Sequence, residues 1–361
     1  MKLTVDRSDL LRALSCVRGA VQACNVPILG NVLITAETKL QVSATDLVMV
    51  VTVTTGADVT TPGSLAVPLG PLYELVRRMP DAARVSLELT DKRLTVRAGR
   101  MRAGLPTLPG ADFPAFTEQV FSHFFTTPGL GAAIAATIHA VSADDSRVAL
   151  CGAYLHADGL VATDGHRLVQ HDTPMGGPGV IVSRRTLAEL ERLVKDDEVT
   201  IEVCPTLIRF TFGDTVVTSK LIDGTFPDYG RVVPLGNDRQ VECDRLELAK
   251  AVGRVGAVSE KGMALRFEVT GSCVRVSVVD ASAGTDATEE VDCEYDGEPV
   301  TIGLNSRYFL EALEHTVGER CTVAIKDDRT PVLVRGTDET LQVVMVMRVD
   351  DGKENQTKAY C

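Results

Sequence analysis

The residues best suited to chemistry lie in one short run near the middle of the chain, Ala162-Thr163-Asp164-Gly165-His166-Arg167-Leu168. A carboxylate two positions from an imidazole could orient a general base, with His171 as a further candidate. Such a base needs a nucleophile or a metal to act upon. None is offered by the sequence: it has no G-x-S-x-G, no G-x-x-x-x-G-K-[ST], no H-E-x-x-H and no dinucleotide-binding glycine fingerprint. Gly176-Gly177-Pro178-Gly179 is interrupted by proline and reads as a surface loop rather than a phosphate cradle. The nine cysteines are scattered without a C-x-x-C pair, which sets aside the usual zinc and redox spacings. The same heptapeptide also reads as a turn that ends a strand and presents a docking surface, because Asp-Gly favours chain reversal. That reading gains from repetition. Ala44-Thr45-Asp46 precedes it by 118 residues (46 to 164), and a weaker Val278-Val279-Asp280 follows after 116 (164 to 280). A loop repeated at domain-sized spacing belongs first to the scaffold, so no enzyme activity and no cofactor are expected.

The elements around this loop repeat with it. Leu10, Ala13, Leu14 and Val17 fall at i, i+3, i+4 and i+7, one face of a helix; Leu130, Ala133, Ile134 and Thr137 repeat the spacing, and so do Leu248, Ala251, Val252 and Val255. A second helix is marked by Val67, Leu72 and Glu74, then Val182, Leu187 and Glu189, then Leu304, Phe309 and Glu311. Between them lie strand-like runs such as Val85-Ser86-Leu87-Glu88-Leu89, Thr200-Ile201-Glu202-Val203 and Thr322-Val323-Ala324-Ile325. The expectation is an α+β fold of three tandem modules, each with two helices against hairpin-connected strands. Turn-rich segments place the modules at residues 1–117, 120–236 and 239–349. A polar, aperiodic extension at 350–361 is expected to fray.

The length of 361 residues suits several cores. No apolar run is long enough to span a membrane, the N-terminus turns polar too early for a secretory signal, and dispersed thiols fit a reducing cytoplasm. The net charge of −12 argues against a protein that coats itself with nucleic acid. Cations nevertheless gather opposite the apolar helix faces: Arg12, Lys250 and Arg254 on the first helices, Arg185 and Arg307 on the second, with Arg78 pointing away and His139 on the outer face of the middle unit. These are either ordinary solvated faces or a repeated cationic surface that meets phosphates without reading bases.

Several phrases then identify a resemblance. Pro27-Ile28-Leu29-Gly30-Asn31, Leu108-Pro109-Gly110-Ala111-Asp112-Phe113-Pro114, the central heptapeptide, Asp223-Gly224-Thr225-Phe226-Pro227-Asp228-Tyr229 and Val343-Val344-Met345-Val346-Met347-Arg348 stand in the order found in the bacterial DNA polymerase III beta subunit, the sliding clamp, which the chain resembles from residue 1 to about 349. The resemblance implies a homodimer closing a six-domain ring around double-stranded DNA without sequence preference. Its partners would be the polymerase III catalytic subunit, the clamp loader, translesion polymerases and repair proteins, held through short linear motifs. The implied motif pocket comprises Leu150, Thr163, Gly165, His166, Arg167 and Leu168, then Pro227, Arg231 and Val232, then Asn305, Tyr308, Val343, Val344, Met345, Met347 and Arg348. Arg147 joins the helix cations as a DNA-facing residue. Ring closure would set a basic edge of Arg93, Arg97, Arg100 and Arg102, with Leu105, against Val258, Asp286, Glu289 and Glu290, although charged strand faces of this kind are also common by themselves.

The chain departs from the family pattern in three places. Val346 replaces a proline and the chain continues twelve residues past Val349. The Ala23-Cys24-Asn25 neighbourhood lacks the family's basic residue, and Val148-Ala149 replaces an aromatic pair. A second expectation follows from these: a specialised clamp with weakened DNA contacts and a tail that modulates the pocket.

Overall fold

The computed structural model describes all residues except 22–25, 117–118, 196, 259–263, 281–283 and 350–361, together with the side chain of Asp280. The cysteine neighbourhood around Cys24 and the C-terminal extension therefore lie outside the described residues. Among the described residues there are six α-helices: α1 (Arg7–Val17), α2 (Leu69–Arg77), α3 (Leu130–Thr137), α4 (Arg184–Leu193), α5 (Arg245–Gly256) and α6 (Ser306–Glu314). They begin where the apolar periodicity begins. Leu10, Ala13, Leu14 and Val17 are fully buried, as are Leu130, Ala133, Ile134 and Thr137, and the α5 stripe is 2% exposed or less. Alanine at the second position of each stripe lets the helix lie close to the strands beneath. The caps are local: Asn305 Oδ1 accepts from the backbone N–H of Arg307 (3.1 Å) and Tyr308 (3.3 Å), while Asp244 accepts from Glu247 at the start of α5.

Contacts divide the chain into two compact units, Met1–Gly131 with Met175–Asp223, and Ala132–Pro174 with Gly224–Cys361. The middle repeat is thus shared between them, for a reason visible in the strand pairing. In the first unit the strand Met49–Thr55 pairs antiparallel with Thr215–Ile222, Met49 facing Ser219. In the second, Arg167–Asp172 pairs with Thr340–Val344, Arg167 facing Val344. Each repeat is therefore sewn to the next by main-chain hydrogen bonds, and the sheet does not stop at a repeat boundary.

Among the strands that keep an open side in the described residues, two correspond to the strands that join neighbouring repeats. Met101–Pro106 pairs only with Arg93–Ala98. Thr285–Glu294 pairs with Cys273–Asp280 on one side, and its other side is covered only at Cys293 and Glu294. These are the counterparts of Thr215–Ile222 and Arg167–Asp172 in the remaining repeats.

Candidate functional site

The central loop is built from its own side chains. Thr163 Oγ1 donates to the Arg167 carbonyl (2.6 Å) and accepts from Gly165 N–H (3.1 Å). Asp164 Oδ1 accepts from the backbone N–H of His166 (2.9 Å) and Arg167 (3.1 Å). Gly165 sits at φ +88°, a left-handed position that glycine adopts cheaply. The earlier Ala-Thr-Asp loop repeats this bond for bond. Thr45 Oγ1 donates to Met49 O (2.7 Å) and accepts from Leu47 N–H (3.1 Å), and Asp46 Oδ1 accepts from Val48 (2.8 Å) and Met49 (2.7 Å). Asp164 thus serves the backbone and does not orient the His166 ring. His171 is likewise structural: burial lowers its basicity and its Nδ1 bonds the Thr340 hydroxyl at 2.8 Å. The base-catalyst reading of these residues is set aside.

Arg167 is the centre of this region and is only 6% exposed. Its guanidinium bonds Asp164 (3.2 Å), Glu311 and the carbonyl of His139, and lies 4.8 Å over the Tyr308 ring. Burial pushes the Glu311 carboxyl up, but hydrogen bonds from Arg307 and Arg167 outweigh it and hold the group below its ordinary value. His139, expected on an outer face, instead stacks on His315 with ring centroids 3.9 Å apart. Burial, then the neighbouring His315 and Arg167, lower its pKa to about 3, so it is neutral at physiological pH. Arg167 therefore supports the cleft from beneath rather than reaching into it. Sequence reasoning passed over Glu311 in this role, although its i+4 spacing from Arg307 was a signal.

The remaining pocket candidates all fall in this second unit. Leu150, Leu168 and Val343 are buried and apolar, with Leu168 paired directly to Val343, whereas buried Val344, the next residue of the strand, turns to the opposite face and packs in the core of the third repeat. Around them Met345, Met347 and Val232 are exposed, as are Pro227, Arg231 and Arg348. Exposed His166 stacks on Tyr308 at 5.8 Å, and Met345 N–H donates to the His166 carbonyl at 3.0 Å. The linker segment bearing Pro227 is fixed by aromatic packing the sequence did not reveal. Phe226 stacks on Tyr154 at 5.2 Å, and the Tyr229 hydroxyl bonds His156 Nε2 at 3.2 Å. The result is an apolar shelf with flexible methionines and a few polar groups, suited to an extended peptide.

The cations separate into two groups. Arg12, Arg78, Lys250, Arg254 and Arg307 are exposed, each ion-paired with an acidic neighbour: Asp214, Glu74, Glu247, Glu289 and Glu311 respectively. Arg185 instead forms an ion pair with the buried carboxylate of Asp46, fastening α4 to the first Ala-Thr-Asp loop. Arg147 bonds Asp144 (3.3 Å) and the Asp164 carbonyl (3.1 Å), which places it against the central loop. At the open edges, Arg93 bonds the Gly104 carbonyl (3.0 Å), while Arg97, Arg100 and Arg102 are exposed beside half-buried Leu105. On the acidic edge Glu290 bonds Arg275 (2.7 Å), and Thr285 donates to the carbonyl of exposed Val258 (2.9 Å). Asp286 has no ion pair among the described residues. No cluster of three or more metal-ligating side chains occurs among the described residues either.

Three repeats joined through their sheets, with a cleft at a repeat junction and no converging catalytic groups among the described residues, define a modular scaffold. Comparison with known proteins sharpens this. Models of the N-terminal, central and C-terminal domains of the DNA polymerase III beta subunit match residues 1–117, 126–228 and 230–348. The beta sliding clamp of Caulobacter vibrioides is 40% identical over 356 residues, covering 92% of this chain and 95% of the relative. That of Pseudomonas aeruginosa is 34% identical, covering 97% and 100%. Among solved structures, Caulobacter crescentus pol III beta superposes with a TM-score of 0.89 at 39% identity, covering 97% of this chain and all of the other. The polymerase III beta subunit of Pseudomonas aeruginosa superposes with a TM-score of 0.92 at 34% identity over the same shares. The chain belongs to the DNA polymerase III beta subunit family. Its function is that of a sliding clamp, a non-catalytic processivity factor in DNA replication.

Proposed function

We propose that two copies of this chain close into a ring around duplex DNA, and that the cleft at Leu168 and Met347 tethers motif-bearing partners to it in the cytoplasm. The observation that carries the ring is the pair of open edges. Repeats one and two, and two and three, are joined by the same two strands of each repeat. The same rule applied to the ends joins Thr285–Glu294 of one copy to Met101–Pro106 of the other, twice in a two-fold dimer. Val53, seven residues after Asp46, faces Thr215, which directly follows a two-residue turn. Ala287 and Met101 hold those places at the ends. Arg102 then stands opposite Asp286, so the signs of charge agree with the register.

Encirclement makes weak contact sufficient. A polymerase tied to a closed ring stays at high effective concentration over its template, while a few phosphate contacts let the ring move. Five exposed helix cations, each already ion-paired with a carboxylate, suit loose contact of that kind. The net charge of −12 discourages DNA from other surfaces. The polymerase, clamp loader and repair proteins are the partners the cleft would take, through short apolar segments laid over Met345 and Met347. Sedimentation tests the closure: the expected species is about 77 kDa, twice the 38.7 kDa chain. A strict monomer at micromolar concentration would contradict it.

A further inference from the structure

The first unit contains a second cleft at the corresponding junction. Leu168 faces Val343 across the second junction; Val50 faces Thr218 across the first, at the same ladder position relative to the Ala-Thr-Asp loop. Pro227 follows buried Phe226 in the linker of one, and Pro114 follows buried Phe113 in the linker of the other. Val50, Thr218, Phe113 and Pro114 line a single cavity of about 250 Å³, floored by Leu207 and Phe121. A neighbouring cavity of about 380 Å³ shares Ala115, Phe116, Gln119 and Leu207 with it and extends to Lys220. Phe113, Phe116 and Phe121 supply much of the wall, and Arg209, paired with Glu202, and Lys220 stand at the rim. The Arg209 guanidinium lies 4.2 Å over the Phe121 ring, and the Lys220 ammonium is 5.7 Å from the centre of Phe116. Gln119 accepts from the Thr206 hydroxyl (2.9 Å) and the Cys204 thiol (3.1 Å), which fixes its side chain between the two cavities. None of these residues serves the Met347 cleft, the open edges or the exposed helix cations.

We propose that this junction is a second docking site, for an extended peptide with two neighbouring apolar side chains and an acidic residue beside them. Two adjoining cavities accept two side chains, and the exposed Lys220 ammonium receives the carboxylate, Arg209 being held by Glu202 (3.4 Å). The peptide character of the ligand rests on the reading of the Met347 cleft as a motif pocket; the place and charge preference rest on this junction alone.

The probe is acetyl-Asp-Leu-Phe-amide, titrated into the full chain by calorimetry. Two equivalents should bind per chain. Ala115 is exposed at the mouth of both cavities, so Ala115→Trp covers them without disturbing the core. It should weaken one equivalent at least tenfold and leave the other, while Met347→Ala does the reverse. Lys220→Glu, a second exposed change, should weaken the same equivalent as Ala115→Trp. Replacing the probe's Asp by Asn should also weaken that equivalent more than the other. A single equivalent lost with Met347→Ala, a titration unaltered by Ala115→Trp, or no binding at millimolar probe would overturn the proposal. Loss of all binding with Ala115→Trp alone would support it and refute the Met347 pocket instead.

Discussion

Arg167→Ala tests whether the central loop is a structural clasp or a ligand-contacting site. The side chain is buried and bonds three acceptors, two of them partly buried carboxylates. Breaking a buried ion pair costs about 3–5 kcal/mol because a charge is stranded. Here Glu311 retains Arg307 (2.8 Å) and Asp164 retains two backbone donors, which points to the lower end. The expected loss is about 3 kcal/mol, or a fall of very roughly 6–12 °C in the melting step that includes this unit, at about 2–4 °C per kcal/mol. The assay is thermal and urea unfolding followed by circular dichroism, with hydrogen exchange to locate the change around residues 162–168. Arg167→Lys should recover less than half, because one ammonium cannot reach three separated acceptors. A loss below about 1 kcal/mol, or full recovery by lysine, would refute the clasp.

The other predictions concern pH, the cleft and the ring edge. His139 is held neutral by the fold, with a pKa of about 3 against 6.5 when unfolded. The unfolded chain therefore binds the extra proton, and stability should be intact above about pH 6.5 and fall as pH drops toward 3, by at most about 1.4 kcal/mol per unit. His139→Phe keeps the stack on His315 and should flatten that slope in urea melts; an unchanged slope would count against it. Met347→Ala should weaken a motif peptide about tenfold by fluorescence anisotropy and leave the sedimentation profile unaltered, consistent with loss of one exposed apolar anchor. Arg102→Glu should loosen the dimer, and adding Asp286→Arg should restore it. Failure of the double change to recover dimer would disprove the proposed register, not closure itself.

The helices were the most legible part of this sequence. Ala13, Ala133 and Ala251 sit at the same place in three stripes, and all three are fully buried. The Ala-Thr-Asp repeat was legible too, since Asp46 and Asp164 make matching backbone bonds. What periodicity cannot carry is which long side chain answers which. Arg185 lies opposite the core by helical angle, yet its charge is met by Asp46, 139 positions away (46 to 185). His139 stands on an outer face by the same geometry, and His315 covers it from a distant element. The Phe226–Tyr154 and Tyr229–His156 contacts were hidden similarly, because aromatics are few and far apart in the chain. Strand pairing between repeats also needs the fold, since the pattern of a strand does not name its neighbour.

The function of this protein requires that it hold DNA by encirclement. The most direct test is retention on nicked circular duplex after loading by a clamp loader, followed by cutting the circle at one site. Encirclement predicts that the chain stays on the closed circle at moderate salt and is released when the ends become free. Equal retention on circular and linear DNA would contradict it.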